Sequence, residues 1–371
     1  MKEMPTEATG REKVDPITFE VVRHKLSAIN EEQAITIRRV SGSPIVTDVA
    51  DFNTGIYGPY GEVVAMGWHV GFKSGCMSGM IRTVVDSYHD NPGINQGDMF
   101  VLNDPYCGAL HQPDVAVLAP VLYEDRIVAW VGADAHEIDV GGMAFGGLQM
   151  DAHDVQQEGL LLPGVKLVEH GRLREDIWRM IMGMVRIPPM VALDLKAMIS
   201  ANRIATRRML EIIDKYGVQT VESVMRNEIS ASERQFRARL RSLPDGIFRS
   251  VDFIEHDGHR NNLYKIALSL EKRGDRLLVD MTGSSRQAPG PINCAMNGLR
   301  GAVMAGMLPI LAPDIRWNDG VFSAVEISAP EASIVNAARP APVSAATTNA
   351  MFQTHNAMQS AASRLGAYHG G

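Results

Sequence analysis

The chain has 371 residues, 45% of them hydrophobic and 21% charged, a globular composition that excludes disordered and fibrous classes. A formal net charge of −7 argues against nucleic acid or an anionic membrane surface as the main partner. Three scattered cysteines, Cys76, Cys107 and Cys294, exclude a disulfide framework or a zinc knuckle and fit a reducing, cytoplasmic setting.

Residues 1–13 are polar and mixed in charge, without the apolar centre of a signal peptide. No later run approaches the roughly 18 apolar residues of a membrane span. A helix is predicted from Asp15, which caps it; Pro16 suits the first position, and Val22, Leu26, Ile29 and Gln33 recur at helical spacing. Residues 45–66 change to short extended runs punctuated by Gly55, Gly58, Pro59 and Gly61, and residues 77–88 return to a helical pattern. A short strand at 100–102 is stopped by Asn103-Asp104-Pro105-Tyr106. The β-rich runs 115–122 and 126–132 flank Glu124-Asp125 and predict a hairpin, although Glu-Asp is a weaker turn pair than Asn-Gly.

A long helix follows, with Leu195, Met198, Ile199, Ala205, Met209, Leu210 and Ile213 on one face and Gly217 as its stop. A charged helix covers 221–240. Leu243-Pro244-Asp245-Gly246 then divides the chain into regions 1–243 and 244–371. Beyond it, 250–254, 265–271 and 276–280 read as strands, 283–293 as a Gly/Pro/Ser-rich loop, and 299–311 as a helix broken at Pro309. The chain from 345 is helix-like and stops at His369-Gly370-Gly371 without a closing element. The expected class is α+β, mixed β-sheets with flanking helices.

Between Asp104 and Asp139 the chain concentrates Asp104, His111, Asp114, Asp134, His136, Glu137 and Asp139. An antiparallel ribbon places the start of its first strand beside the end of its second. If Tyr123 pairs with Arg126 in a regular ladder, Asp114 faces Ala135 and His136 lies opposite Pro113. With strands about 4.8 Å apart, His111, Asp114 and His136 are candidates for one coordination sphere, and a mixed nitrogen and oxygen set suits Mn, Zn or Fe(II). The competing reading is a polar hairpin end: Asn-Asp-Pro is a common turn opener, and Asp139 before Gly141-Gly142 is a turn former.

Other features are weaker. Gly141, Gly142, Gly146 and Gly147 form a loop that could cradle an anion, but no dinucleotide fingerprint, P-loop or nucleophile elbow is present. Lys73 could lower the pKa of Cys76, against the plainer reading of a small buried residue. Cys107 is a further candidate ligand or nucleophile beside the cluster. His153, Asp154 and Glu158 form either a second wall or the start of a solvated helix. Arg234, Arg237, Arg239 and Arg241 read as a solvated helix face or a subunit contact.

Taken in order, several segments resemble the B subunits of the hydantoinase/oxoprolinase family, which includes subunits of acetone and acetophenone carboxylases. They are Asp15 through Val21, Asp51-Phe52 with Gly61 through Ala65, and Gly97-Asp98. Asn103-Asp104-Pro105-Tyr106 through His111 and Asp114 is the most specific of them, followed by Ala135-His136 with Asp139 through Gly142. Glu158-Gly159-Leu160, Pro163 through Leu167, Asn293, Asn318 through Gly320 and Pro340 through Val343 continue the match.

The resemblance implies a heteromeric enzyme. Its A subunit carries an actin-like ATP-binding fold and, with Mg, phosphorylates a substrate carbonyl oxygen; the activated species is then hydrolysed or carboxylated. Carried over by motif, His111, Asp114 and His136 would bind a divalent metal, Mn or Zn. Asp104 and Asp139 would be catalytic, as a further ligand or as groups that orient the ligand histidines. The expected activity is ATP-dependent hydrolysis of a cyclic amide, with ketone carboxylation as the alternative and a non-catalytic structural subunit as a third reading. Three departures from the family pattern stand out: Gly108-Ala109 for a Gly-Gly pair, Glu137 after His136 where an aromatic or His is common, and Lys73 through Met77 for a His-Leu-Gly-Ser-Met segment. Region 244–371 is also shorter than the family's, so that either a partner supplies the remainder or the chain is a shortened form.

Overall fold

The Asp15 carboxylate accepts the amides of Ile17 and Thr18 at 3.1 and 3.0 Å, so helix α1 (Pro16–Val40) begins where its cap predicts. Its inward stripe of Val22, Leu26, Ile29, Gln33 and Ile37 is buried. The structure, a computed structural model, describes residues 14–67 and 69–366. The expectations for residues 1–13 and for His369-Gly370-Gly371 lie outside that range.

After α2 (Pro44–Thr47) come β1 (Phe52–Tyr57), β2 (Val63–Met66), α3 (Cys76–Tyr88), β3 (Met99–Leu102), β4 (Asp114–Tyr123), β5 (Arg126–His136), β6 (Pro163–Glu169) and β7 (Arg172–Leu173). Helices α4 (Glu175–Met184), α5 (Pro188–Tyr216) and α6 (Val218–Ser242) follow, α5 stopping at Gly217 with φ 83°. Then come β8 (Gly246–His256), β9 (Asn261–Arg273), β10 (Arg276–Asp280), α7 (Met296–Leu311), α8 (Asp319–Phe322), β11 (Val325–Ser328) and α9 (Ala350–Gly366).

The fold is α+β. The first sheet has seven strands in the order β2-β1-β5-β4-β3-β6-β7, all antiparallel. Alternate residues of its central strands, Val115, Val117, Val131, Ala133 and Ala135 among them, pack into one core with α1 and α5. The opposite face buries Ala116, Leu118 and Trp130 against Met77, Met80 and Ile81 of α3. Gln33 of α1 donates to Asn202 of α5 at 3.0 Å, and Asn202 donates to the Val117 carbonyl at 2.7 Å. Both helices are thereby keyed to the strands that carry the candidate site.

The second sheet, β11-β10-β9-β8, is antiparallel except for the parallel β10–β11 pair. Its core takes in α7 and α9. Helix α7 is not broken at Pro309 as the sequence suggests. The proline falls in the last turn, where it removes one amide only, and Ala312 N still donates to Leu308 O at 2.9 Å. Within the arginine run on α6, Arg234 is exposed, Arg237 pairs with Glu233 and Asp275, Arg239 with Asp314, and Arg241 with Asp275. Among the described residues no helix is long and apolar enough to cross a membrane.

Candidate metal centre

The predicted hairpin forms, with Tyr123 opposite Arg126. Glu124 and Asp125 both adopt positive φ (50° and 58°), the backbone of a tight primed turn, despite lacking the usual Asn or Gly. The ladder, however, is not regular. Leu122 pairs with Ile127 but Val121 pairs with Ala129, so Val128 is an extra residue in β5. Every pair beyond it shifts by one. Asp114 therefore faces His136, not Ala135, and Asp134 faces Ala116. Directly paired residues share a face of the sheet. In the regular register His136 would have pointed to the side opposite Asp114; the bulge puts Asp114, Asp134 and His136 on one side.

His111 comes from the loop between β3 and β4. Asn103 holds that loop: its amide donates to the carbonyls of Gln112 (2.7 Å) and Leu160 (2.8 Å) and its oxygen accepts from Leu162 N (2.6 Å). The His111 Nδ1–H donates to the Ser344 carbonyl at 2.6 Å, which in the neutral ring leaves the Nε2 lone pair facing the cluster. Nε2 lies 3.2 Å from His136 Nδ1 and 3.4 Å from Asp114 Oδ2, and His136 Nδ1 lies 3.4 Å from Asp114 Oδ1. Two donors each about 2.1 Å from a tetrahedral ion stand about 3.4 Å apart. Asp114 is buried, yet neither of its oxygens accepts a hydrogen bond. A buried carboxylate whose oxygens each face an imidazole nitrogen at 3.4 Å fits a divalent cation. Among the described residues, these three side chains form the group able to hold an ion.

Two further residues of the cluster were missed as site residues by sequence reasoning. Asp51, just before β1, places Oδ2 at 3.8 Å from His136 Nδ1. It arrives because β1 pairs with β5, Phe52 against Ala135, and His136 N donates to Asp51 O at 3.0 Å. Lys73, closing the short turn Gly71–Lys73, is buried with its Nζ 3.0 Å from Asp114 Oδ1, 3.1 Å from Asp134 Oδ1 and 3.2 Å from Asp51 Oδ1. The nearest available signal was that Asp51 belongs to a segment matching the family; nothing local marks a lysine for burial.

Burial alone would push the Lys73 ammonium down, but Asp114, then Asp134 and Asp51, outweigh it and hold it charged well above the usual lysine range. Burial opposes ionisation of Asp114 as well, and Lys73 and His111 overcome it, holding this carboxyl well below the usual range. Asp134 moves the other way: burial raises it, Lys73 only partly offsets this, and Asp114 adds to the rise. The thiol of Cys76 is pushed up by burial and then by Asp134 and Asp114, so Lys73 does not activate it as the sequence allowed; the lysine's charge is taken up by the carboxylates. The cluster is closed on the side of His111, Asp114 and Lys73 and opens at His136 and Asp51, whose side chains are 17% and 30% exposed.

The other candidates hold the surroundings. Asp104 accepts Tyr106 N at 2.9 Å and pairs with Arg339, which lies over the Tyr106 ring at 4.8 Å. Asp139 accepts the amides of Gly141, Gly146 and Arg186, and pairs with the Arg186 side chain at 3.3 Å. The glycine loop thus spends these amides on Asp139, and Ala144 N on Gln149. His111 is oriented by Ser344, not by either aspartate. Cys107 lies outside the ligand group, its thiol pushed up by burial and then by Asp104. His153 packs on the His259 ring at 4.2 Å, and Asp154 caps the turn Val155–Glu158. Glu158 reaches the wall of the site: its Oε1 accepts Val343 N at 2.7 Å and Ser344 N at 2.5 Å.

The profile of the hydantoinase B/oxoprolinase family matches residues 15–370. The chain belongs to that family. It is 29% identical over 339 residues to the caprolactamase subunit beta of Pseudomonas jessenii, covering 91% of this chain and 58% of that one. It is 33% identical over 217 residues to the acetophenone carboxylase delta subunit of Aromatoleum aromaticum, covering 58% of this chain and 31% of that one. The crystal structure of the ATP-dependent caprolactamase from Pseudomonas jessenii superposes with a TM-score of 0.89 at 28% identity, over 95% of this chain and 61% of that one. The chain spans 58–61% of the length of the first curated relatives it matches.

Proposed function

We propose that this chain is the metal-bearing subunit of an ATP-dependent cyclic-amide hydrolase acting on the C–N bond of a lactam or hydantoin. His111 Nε2, Asp114 and His136 Nδ1 would hold a divalent ion, Zn or Mn, with Asp51 at the open rim as a fourth donor. The observation that carries this reading is the convergence of two imidazole nitrogens on a buried carboxylate that accepts no hydrogen bond, in a fold shared with a caprolactamase. When bound, such an ion supplies a Lewis acid for a carbonyl oxygen or a water of lowered pKa.

The chain's own residues have separate tasks. The Ser344 carbonyl fixes the His111 ring and its tautomer. Lys73 and His111 keep Asp114 ionised. The closed inner wall leaves the His136 and Asp51 side for substrate and water. Asp139 and Asp104 act as positioning residues, the first through the glycine loop and the second through Arg339. The sequence has no P-loop, so carbonyl activation by ATP and Mg is assigned to a separate ATP-binding A subunit in a hetero-oligomer. Three free cysteines fit a cytoplasmic setting. A second reading, the metal-bearing subunit of a ketone carboxylase, is favoured by the 33% identity to the acetophenone carboxylase subunit.

The test has two parts. Metal analysis of the purified chain is expected to find about one divalent ion per chain and its near-complete loss in His111→Ala and in His136→Ala. Equal metal in all three refutes the centre. The chain assembled with an ATP-binding subunit is expected to hydrolyse caprolactam, hydantoin or 5-oxoproline with ATP. Turnover of a ketone with bicarbonate instead establishes the second reading, and wild-type turnover in both histidine variants makes the chain a scaffold.

A further inference from the structure

Lys73 brings a fixed positive charge to the cluster and has no place in the ligand set. Three carboxylate oxygens, from Asp51, Asp114 and Asp134, surround its Nζ at 3.0 to 3.2 Å. The three contacts are ion pairs that converge on Nζ from separate parts of the chain and share its charge. The ammonium is held as a point charge, the way a bound cation is held. It comes from a different segment than its partners, Asp51 preceding β1 and Asp114 and Asp134 lying on the paired strands β4 and β5. Lys73, Asp114 and Asp134 are all buried, so no solvent dilutes the attraction.

The charge count gives the arrangement a purpose. Asp51, Asp114 and Asp134 carry three negative charges in their ionised forms, and Lys73 returns one positive charge. The remainder is two, the charge of one divalent ion. Without the ammonium, five donor side chains around a deeper negative charge would have the composition of a two-ion site. We propose that Lys73 is a built-in counter-cation that occupies a second cation position, holding the three carboxylates together and limiting the centre to a single divalent ion. This rests on the metal-centre reading for its stoichiometry, while the counter-charge role stands without it. A lysine suits the position because its charge is fixed to the chain and cannot be removed by a chelator.

The experiment compares the full chain, Lys73→Ala, and Lys73→Ala/Asp134→Asn. Each is stripped with chelator, titrated with Mn²⁺, and read by bound metal per chain and by thermal midpoint with and without the ion. The wild type is expected to take about one ion and Lys73→Ala about two, with a midpoint in chelator far lower than in Mn²⁺. The double variant restores the charge balance by deleting one carboxylate. It is expected to return to about one ion and to a midpoint in chelator close to the wild type. Should Lys73→Ala bind one ion with a wild-type midpoint response, the proposal is overturned. Should it fail to fold, a folded double variant supports the proposal and an unfolded one overturns it, because packing and not charge is then what Lys73 supplies. A wild type that binds no Mn²⁺ sinks the metal centre alone; the midpoints of the two variants in chelator still decide the counter-charge role.

Discussion

Glu158 makes the sharpest prediction about pH. Its side chain is buried at the end of the turn Val155–Glu158, and its carboxylate receives the amides of Val343 and Ser344. Burial raises its pKa from 4.5 to about 7, against the opposing pull of those two amides. The folded state thus holds this proton more tightly than the unfolded chain. The associated stability is fully present below pH 4.5 and is lost as pH rises through about 7. A gap of about 2.5 pH units at 1.36 kcal/mol each corresponds to about 3 kcal/mol. Glu158→Gln keeps an oxygen for both amides and removes the titration. Urea melts of wild type and variant at closely spaced pH should therefore diverge, the variant gaining about 3 kcal/mol relative to wild type between pH 4.5 and 8. Parallel curves across that range refute the assignment. The consequence reaches the centre, because the same Ser344 that gives its amide to Glu158 takes the proton of His111 Nδ1 on its carbonyl.

Two further substitutions test the scaffold. Asn103→Ala leaves the carbonyls of Gln112 and Leu160 and the amide of Leu162 without their partner, and is expected to cost about 4 kcal/mol in a denaturant melt. A cost under about 1 kcal/mol would mean water or a neighbour replaces the side chain. Gly159→Ala combines φ 124° with a new Cβ 2.6 Å from the Val140 carbonyl oxygen, whereas Gly217→Ala has φ 83° and only Thr220 Oγ1 at 3.9 Å. The first should cost about 3 kcal/mol or more and the second about 1 kcal/mol; equal losses would show that crowding at Gly159 is relieved by backbone movement.

The local pattern made the elements legible. The Asp15 cap, the hairpin around Glu124-Asp125, the stop at Gly217 and the strands beyond Gly246 all appear close to their expected places. These features depend on neighbours in sequence. Three parts of the candidate centre do not. Asp51 joins through a pairing of β1 with β5 across more than half of the first sheet's length of chain, and no nearby residue announces it. Lys73 sits in a glycine- and serine-rich segment that looks like an exposed turn, and only three carboxylates from other strands explain its burial. Ser344 contributes a backbone carbonyl, which carries no side-chain signature at all. Asp104 and Asp139 show the reverse case. Their residue type and position suggested chemistry, while their oxygens are taken up by loop amides and arginines.

The extra residue in β5 has a consequence for how this ribbon tolerates change. Side chains along a strand alternate sides, so the hairpin keeps a parity, and Val128 sets it. Drawing Val128 into a regular ladder would turn Trp130, Asp134 and His136 toward the layer under α1 and α5 and bring Ala129, Val131 and Ala133 out in their place. No residue would have been mutated, yet the imidazole and two carboxylates would no longer share a wall. A ribbon one residue shorter at Val128 would keep Asp114 opposite His136 with no bulge, so the placement of these side chains depends on how the ladder accommodates its count of residues as much as on their kind.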